Sequence, residues 1–189
     1  MTEIGCMAHA RRKFYDLHAA NRSLLAEQAL HTIGLLYDIE REVHDLPPGE
    51  RRQIRQEKAA PVADALHVWM LAQRRLVHEG TAIAKALDYS LKRWTALVRY
   101  LDDDMVAIDN NWCENQIRPW AIGRANWLFA GSLRSGKRAA ALMTLIQTAR
   151  LNGHDPYAYL KDMLTRLPTQ KASEISALLP HNWKPASKV

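Results

Sequence analysis

Apolar residues recur every three or four positions through the first half of the chain, and this helical spacing constrains the fold more than any other feature. The pattern extends from residue 8 to residue 101 and is interrupted only where proline, glycine or runs of charge occur. Amphipathic segments of this kind bury their apolar faces by packing against one another. We therefore expect residues 8–101 to form an array of helices, and the whole chain to be mostly α-helical.

Caps and breaks place the individual helices of this array. A helix with a basic face is predicted over residues 8–20, and a second from a Ser23 N-cap to Val43. The charged residues 50–58 predict a solvated helix. Two longer helices follow, and the first carries an apolar face formed by Val62, Leu66, Trp69 and Leu76. The second ends near Leu101.

The second half of the chain has a different character. Residues 112–122 predict a helix around Pro119, and residues 126–130 predict a short strand. A glycine-flanked loop over residues 131–136 leads into a long helix. Residues 139–143 of that helix are apolar on nearly all sides, which predicts that they are buried.

Both ends of the chain carry weaker signals. A last helix is predicted to begin at Asp155-Pro156, and the tail from residue 169 to residue 189 is expected to be weakly ordered, although Trp183 could dock. Residues 1–6 resemble the end of a strand whose partners would lie upstream.

Composition narrows the class of function. Lys and Arg number 26 against 20 Asp and Glu, and the resulting net charge of +6 favours a polyanionic partner such as nucleic acid. The two cysteines, Cys6 and Cys113, lie far apart, and the sequence contains neither a secretory signal nor an apolar run long enough to span a membrane. We expect a cytoplasmic protein without a membrane partner.

The most specific motif is Asp109-Asn110-Asn111-Trp112-Cys113-Glu114-Asn115-Gln116-Ile117-Arg118-Pro119. On a helix, Asn111, Glu114, Asn115 and Arg118 fall at positions i, i+3, i+4 and i+7, so they share one face. A carboxylate in such a stripe can ligate Mg²⁺ while the amides and the guanidinium orient a phosphate. On spacing alone, the simpler interpretation is a solvated face, with Asp109 as a helix cap.

Longer segments resemble one family. The string DNNWCENQIRPWAIGRANWLFAGS, the following GKRAAALMTLIQTARLNGHDPYAYLKDMLTRLP and the terminal LLPHNWKP resemble the C-terminal region of DDE-type transposases of the insertion sequence 66 family. Near the start, GCMAHARRKF resembles that family's GCWAHARRKF segment, with Met7 in place of the usual Trp. The resemblance covers essentially the whole chain.

The resemblance implies an RNase H-like catalytic domain in which three acidic residues bind Mg²⁺ for cleavage and strand transfer of DNA. Glu114 matches the third acid and would be both catalytic and a metal ligand. Residues 1–101 would be the helical insertion, preceded by the end of a strand. Residues 102–168 would be the C-terminal catalytic segment, and 169–189 the tail. The other two acids and the remaining strands would lie upstream, so this chain alone is expected to be inert, with Mg²⁺ bound only in the complete enzyme.

Basic and polar side chains around Glu114 and in the first helix are the candidates for DNA contacts. From Glu114 to Arg138 there are five basic side chains and one acid, with tryptophans interleaved, a composition that suits phosphate contacts and base stacking. The candidates are Arg11, Arg12, Lys13, Asn111, Asn115, Arg118, Arg124, Trp127, Arg134, Lys137 and Arg138. An ordinary basic surface with core tryptophans remains the alternative. The partner would be the transposon ends and target DNA, and the full-length protein is expected to be a homo-oligomer.

Two other motifs resemble known binding sites but lack residues that those sites require. Residues 131–138 fit the P-loop pattern G-x-x-x-x-G-K, but Arg138 stands where a Ser or Thr hydroxyl would hold Mg²⁺, so no nucleotide partner is expected. Cys6 and His9 have a C-x-x-H spacing without a matching second pair, which does not predict a zinc site. The remaining alternative is a non-catalytic DNA-binding or interaction fragment of a decayed transposase.

Overall fold

The computed structural model describes the backbone of residues 2–127 and 130–185, and the side chains in these ranges except those of residues 124–127. The chain divides into two compact units, Met1–Trp112 and Cys113–Val189, which are called here the N-terminal and C-terminal units. The described residues are mostly helical and include no β-strand, which confirms the predicted fold class in its α-helical part. No described helix has the length and apolar character needed to cross a membrane.

The N-terminal unit is the predicted helical array. Its elements are α1 (Met7–Asn21), α2 (Leu24–Val43), α3 (Pro48–Ile54), a π-helical turn (Arg55–Ala59), α4 (Ala60–Leu76), α5 (Ala82–Lys92), α6 (Trp94–Leu97) and a 3₁₀ turn (Arg99–Leu101). The Ser23 hydroxyl accepts the N–H of Ala26 at 3.3 Å and so caps α2 as predicted. Pro48 occupies the first turn of α3, where its missing N–H costs nothing.

Helices α1, α2, α4 and α5 enclose one apolar core. Its largest members are fully buried: Tyr100, Phe14, Met7, Ile33, Leu36, Leu66, Met70, Leu87 and Leu97. Burial of each such side chain stabilises the fold by about 1.5–3 kcal/mol before entropy is counted. The N-terminal unit therefore has the core of an ordinary small domain.

Residues 50–58 are helical and mostly exposed, as predicted, but one arginine among them is buried. Arg55 is 2% exposed, and its guanidinium donates to both carboxylate oxygens of Glu40 in α2, at 2.8 and 2.7 Å. It also donates to the backbone carbonyl oxygens of Tyr100, Asp103 and Val106. Charge density alone suggested solvent exposure, whereas the fold uses this one cation to hold the segment after α6 against α2.

The apolar face of α4 also differs from the predicted one. The residues of α4 that enter the core are Ala63, Leu66 and Met70, and they continue the line of Ala59 in the preceding turn. Leu76 is 76% exposed, because its position lies about a third of a turn from the centre of that face. Val62 and Trp69 pack at the edge of the core. The following helix is broken at Arg93 instead of running to Leu101.

A glycine allows the chain's first residues to lie against α6. The Gly5 N–H donates to the Ala96 carbonyl at 2.8 Å, and the Met7 N–H donates to that of Ile108 at 3.0 Å. A Cβ at Gly5 would lie 2.7 Å from the backbone nitrogen of Leu97, closer than any side chain tolerates. Residues 2–6 thus run alongside α6 without forming a helix, and their membership of a larger sheet stays a prediction.

The C-terminal unit is built on α7 (Asn111–Trp127), α8 (Leu133–Leu151), α9 (Pro156–Arg166) and two 3₁₀ turns (Leu167–Thr169 and Ala172–Leu178). Helix α7 begins two residues before the boundary between the units. The Asp155 carboxylate caps α9 by accepting the Ala158 N–H at 2.7 Å.

The core of this unit is small. Its buried members are Ala149, Tyr159, Met163, Leu178 and Trp183. The Tyr159 hydroxyl donates to the Leu178 carbonyl at 2.9 Å, and the Trp183 indole N–H donates to the Asp162 carboxylate at 2.7 Å. The tail therefore docks through Trp183, as its composition allowed.

Three local predictions in the second half are wrong. Helix α8 begins at Leu133, so most of the predicted 131–136 loop is its first turn. Residues 126 and 127 belong to α7, so no strand starts at residue 126, and residues 128–129 lie outside the described residues. The apolar run 139–143 is largely exposed, with Leu142 at 48%. An apolar run is buried only where other elements cover it, and the buried core of this unit meets α8 further along, at Ala149.

Candidate nucleic-acid interface

Asn111, Glu114, Asn115 and Arg118 lie in α7 and are exposed, whereas Asp109 and Asn110 precede the helix. Asn111 belongs to the N-terminal unit, whereas Glu114, Asn115 and Arg118 belong to the C-terminal unit. Helical spacing puts these three on one face of α7, as the sequence predicted. Because this is an exposed face, its carboxylate, amide and guanidinium groups are accessible to a ligand.

Another face of α7 meets α8. Gln116, Ile117 and Trp120 line a groove of about 380 Å³ with residues of α8, and the Gln147 amide donates to the Gln116 carbonyl at 3.1 Å. Gln116 and Trp120 lie about half a turn around the helix from Glu114 and Arg118. Ile117 lies closer to Glu114 around the helix, so the groove with α8 borders the Glu114 face and leaves Glu114 exposed.

A hydrogen-bonded network in the N-terminal unit fixes the start of α7. The Tyr37 hydroxyl donates to the Asp109 carboxylate at 2.8 Å, and the same carboxylate accepts the backbone N–H and the side-chain amide of Asn111, each at 3.0 Å. Burial raises the pKa of Tyr37 above its ordinary value, and the bond to Asp109 raises it further, so the hydroxyl remains a donor. Asp109 therefore holds the backbone in place, as predicted for a cap.

Sequence reasoning missed Tyr37. It lies in α2, 72 residues from Asp109, and nothing in the local pattern distinguishes it from any other tyrosine at the edge of the core. Only the packing of α2 beside residues 108–111 reveals its role.

The basic residues of α8 form a second exposed stripe in the C-terminal unit. Arg134, Lys137 and Arg138 fall at i, i+3 and i+4 and are all exposed. The Ser132 hydroxyl caps this helix by accepting the Ser135 N–H at 3.2 Å, and the first turn contains no acid. Cations near a helix N-terminus oppose the helix dipole, so an anion bound there would relieve an unfavourable interaction.

The three basic residues of α1 do not share one environment. Arg11 and Arg12 line a cleft between α1 and α2 that also contains Arg41 and Asn111. The Lys13 ammonium instead lies 4.5 Å from the centre of the Tyr89 ring, a cation–π contact. The side chains of the other two candidates, Arg124 and Trp127, lie outside the described residues.

Comparison with known proteins identifies the family to which the chain belongs. The profile of the Transposase IS66 family matches residues 1–138, and that of the IS66 C-terminal element matches residues 144–181. The chain belongs to the IS66 transposase family. This confirms the resemblance drawn from the Glu114 motif and the GCMAHARRKF segment.

Three IS66-like relatives from Sinorhizobium fredii (strain NBRC 101917 / NGR234) align along almost the whole chain, and all three are named as uncharacterized. Protein y4hP is 39% identical over 96% of this chain and 35% of its own length. Proteins y4jD and y4qI are 36% and 41% identical, over 95% and 96% of this chain and 35% and 34% of their own lengths. The chain thus spans about a third of the length of these relatives. No solved structure matches it.

The P-loop-like segment of this IS66 family member is not folded as a phosphate-binding loop. The Gly136 N–H donates to the Ser132 carbonyl at 3.0 Å, within the first turn of α8. In a P-loop, successive backbone N–H groups instead point into a concave loop around the phosphates. Lys137 and Arg138 therefore belong to a helix surface.

The residues described here do not by themselves fit the Mg²⁺ that the IS66 resemblance implies. Within residues 2–127 and 130–185, no three His, Cys, Asp or Glu side chains cluster closely enough to hold a metal ion. Mg²⁺ requires near-octahedral oxygen coordination, and the Asp109 carboxylate is already engaged by Tyr37 and Asn111. A metal site that used Glu114 would need ligands from elsewhere.

Proposed function

We propose that this chain is the C-terminal part of a DNA transposase whose complete form cleaves and joins DNA phosphodiesters. Membership of the IS66 transposase family carries this proposal. In the complete protein, α7 and α8 would complete an RNase H-like catalytic domain, and the helices of the N-terminal unit would be an insertion within it. The complete protein would act on DNA in the cytoplasm as a homo-oligomer.

Glu114 is proposed as one of three carboxylates of the catalytic site and as a ligand of Mg²⁺ in the complete protein. Its position on an exposed face of α7 supports this role. A lone carboxylate carries too little charge to hold the two ions that phosphoryl transfer commonly uses. The chain alone should therefore neither cut nor join DNA.

The DNA contacts are proposed on three exposed surfaces. Asn111, Asn115 and Arg118 would position DNA beside Glu114, while Arg134, Lys137 and Arg138 would contact backbone phosphates. Arg11, Arg12 and Lys13 would contribute from α1. Arg124 and Trp127 remain candidates from the sequence alone.

The catalytic proposal is tested by adding the upstream part of the gene. DNA that carries the element's ends is incubated with Mg²⁺ or Mn²⁺ and either the chain alone or a version extended through two upstream aspartates. Activity is expected only in the extended form, and Glu114→Gln should abolish it. Glu174→Gln, which changes an exposed glutamate of the same unit, should not. Glu114-dependent cleavage by the short chain would overturn the account of the missing ligands.

DNA binding is tested through its dependence on salt. If about four of the basic side chains contact phosphates, log K should fall against log[salt] with a slope of roughly −3 to −4. Fluorescence anisotropy with duplex and branched DNA measures this slope. Affinity that persists in high salt, or no binding at low salt, would contradict the proposal.

A non-catalytic DNA-binding fragment of a decayed transposase is the second candidate. The lack of a three-ligand metal cluster among the described residues fits this candidate and the enzyme alike. The nucleotide sequence upstream of Met1 separates the two candidates. An open frame that encodes two separated aspartates on strand-like segments supports the enzyme, and a stop codon supports the fragment.

A further inference from the structure

The cleft between α1 and α2 brings together residues that are far apart in the sequence. It has a volume of about 590 Å³, and its lining includes Arg11, Arg12 and Tyr15 from α1 and Tyr37 and Arg41 from α2. Pockets of this size hold small ligands or single groups of larger ones. All of its lining residues belong to the N-terminal unit.

The charge of the cleft favours an anion. Arg41 is paired with Asp38, but Arg11 and Arg12 are exposed and form no ion pair with any described carboxylate. Two adjacent guanidinium groups without carboxylate partners are well suited to a phosphate, which accepts charge-assisted hydrogen bonds from their planar donors.

The cleft also presents an aromatic ring to solvent. Tyr15 is 53% exposed. It lies one helical turn after Arg11 and Arg12 and lines the same cleft. An exposed tyrosine next to phosphate-binding cations is the combination that proteins use to bind single-stranded nucleic acid, because a base can stack on the ring. In a duplex the base faces are covered by their neighbours and unavailable for such stacking.

A glycine keeps the cleft open. Gly34 lines it on α2, and a Cβ built at this residue would meet no atom within 4 Å. Glycine in the middle of a helix costs about 0.5–1 kcal/mol relative to alanine, and Gly34 has no positive φ that would explain its presence. A larger side chain at Gly34 would fill part of the cleft.

We infer that this cleft binds one unpaired nucleotide of a DNA strand, with its phosphate on Arg11 and Arg12 and its base against Tyr15. The inference rests on the proposed function, which supplies DNA as the substrate. It assigns the phosphate contact to Arg11 and Arg12 and not to the neighbouring Lys13, whose ammonium contacts the Tyr89 ring. It also extends the DNA-binding surface to Tyr15 and Gly34, which the motifs did not indicate.

The first arm of the test concerns the phosphate. Anisotropy is measured with a labelled oligothymidylate of about ten nucleotides, a length within the range that single-strand binding modules cover. Replacement of Arg11 and Arg12 together by Ala should weaken binding at least about tenfold and reduce the salt slope by about 0.7, because one phosphate contact is lost. The control replaces Arg52 and Arg75 by Ala. Both arginines are exposed and lie outside the cleft, and their replacement lowers the net charge by the same amount.

The second arm concerns the base. Tyr15→Ala should weaken binding at least about fivefold, Tyr15→Phe should restore it, and Tyr157→Ala, which changes an exposed tyrosine of α9, should have little effect. An oligonucleotide of abasic sites keeps the phosphates and removes the bases. The wild-type protein should prefer the thymidylate strand, and Tyr15→Ala should lose this preference.

The third arm fills the cleft without changing the charge. Gly34→Leu should weaken binding of the thymidylate strand severalfold while leaving the melting temperature unchanged or higher. Gly49→Leu in α3, where a Cβ likewise meets no atom within 4 Å, is its control. A stability change without a binding change would indicate a purely structural position.

The outcomes distinguish this inference from the function on which it rests. If the wild-type chain binds DNA but the cleft variants bind as their controls do, the cleft is not a nucleotide site, and the proposed function stands. If the wild-type chain binds abasic and thymidylate strands equally, the role of Tyr15 is wrong. If it binds neither single strands nor duplexes at low salt, the proposed DNA binding fails, and the cleft inference fails with it.

Discussion

The two units of the chain differ in how completely they bury their apolar residues. In the N-terminal unit, four helices enclose a continuous core around Phe14, Leu36 and Leu87, each 0% exposed. Among the described residues of the C-terminal unit, the core has five buried members, and α7 and α8 expose apolar side chains that include Ile117 and Leu142. The first unit has the core of a self-contained fold, whereas the described part of the second buries fewer of its apolar side chains.

This difference matters because the proposed catalytic residue lies in the less completely packed unit. Glu114 lies on an exposed face of α7, and other residues of that helix border the groove with α8. A surface that must receive ligands from other segments cannot be sealed by its own core. Hydrogen exchange monitored by mass spectrometry reports each unit separately and can therefore test the comparison.

The largest expected effect comes from the buried ion pair of the N-terminal unit. Glu40→Ala leaves the Arg55 guanidinium buried without its carboxylate, which should destabilise this unit by about 3–5 kcal/mol. Glu42 lies on the same helix as Glu40 and forms an exposed ion pair with Lys58. Glu42→Ala breaks this pair and should cost at most about 1 kcal/mol. Urea unfolding measures both, and equal effects would show that Arg55 is not sealed from water.

A matched pair of leucines tests the packing difference directly. Leu87→Ala in the N-terminal unit should cost about 2–5 kcal/mol, because a fully buried side chain leaves a cavity. Leu142→Ala in the C-terminal unit should change stability by no more than about 0.5 kcal/mol, because this side chain is half exposed. A large loss at Leu142 would mean that α8 is covered in solution.

Two tyrosines should respond to the same substitution with opposite signs. Tyr159→Phe removes the hydrogen bond to the Leu178 carbonyl and should cost the C-terminal unit about 1 kcal/mol. The buried Tyr100 hydroxyl has no partner among the described residues, so Tyr100→Phe should be neutral or slightly stabilising. A loss of stability at Tyr100 would reveal a bound water or another partner. Thermal unfolding of each variant gives the comparison.

The smallest expected effect is a pH dependence of the stability of the N-terminal unit. The hydrogen bond from Arg74 in α4 holds the pKa of Asp88 in α5 below its ordinary value. The resulting stabilisation is present above the unfolded pKa of about 3.9 and is lost as pH falls through the lower folded value. Melting temperatures of the wild-type chain and Asp88→Asn should therefore differ at neutral pH and converge in acid. A difference that stays constant with pH would exclude the Arg74 pair as its cause.

Part of the candidate site could be predicted from the sequence because it is local. Helical spacing alone puts Glu114, Asn115 and Arg118 on one face of α7, and the structure confirms that this face is exposed. The same logic identified the Ser23 and Asp155 caps, whose partners are three residues away. Local hydrogen bonds and helical periodicity do not depend on the rest of the fold.

The sequence by itself determined the family, the helical fold class, the helix caps and the composition of the Glu114 face. Only the tertiary structure decided which charged residue is buried, which apolar run is exposed, and which arginines share a cleft. Arg55 looks like its charged neighbours until α2 supplies Glu40, and residues 139–143 look buried until the small core of their unit leaves them uncovered. Arg11 and Asn111 lie about a hundred positions apart, and only the packing of residues 108–111 beside α1 and α2 places them in one cleft. Periodicity reveals which residues share a face of a helix, but burial depends on what lies against that face, which distant segments decide.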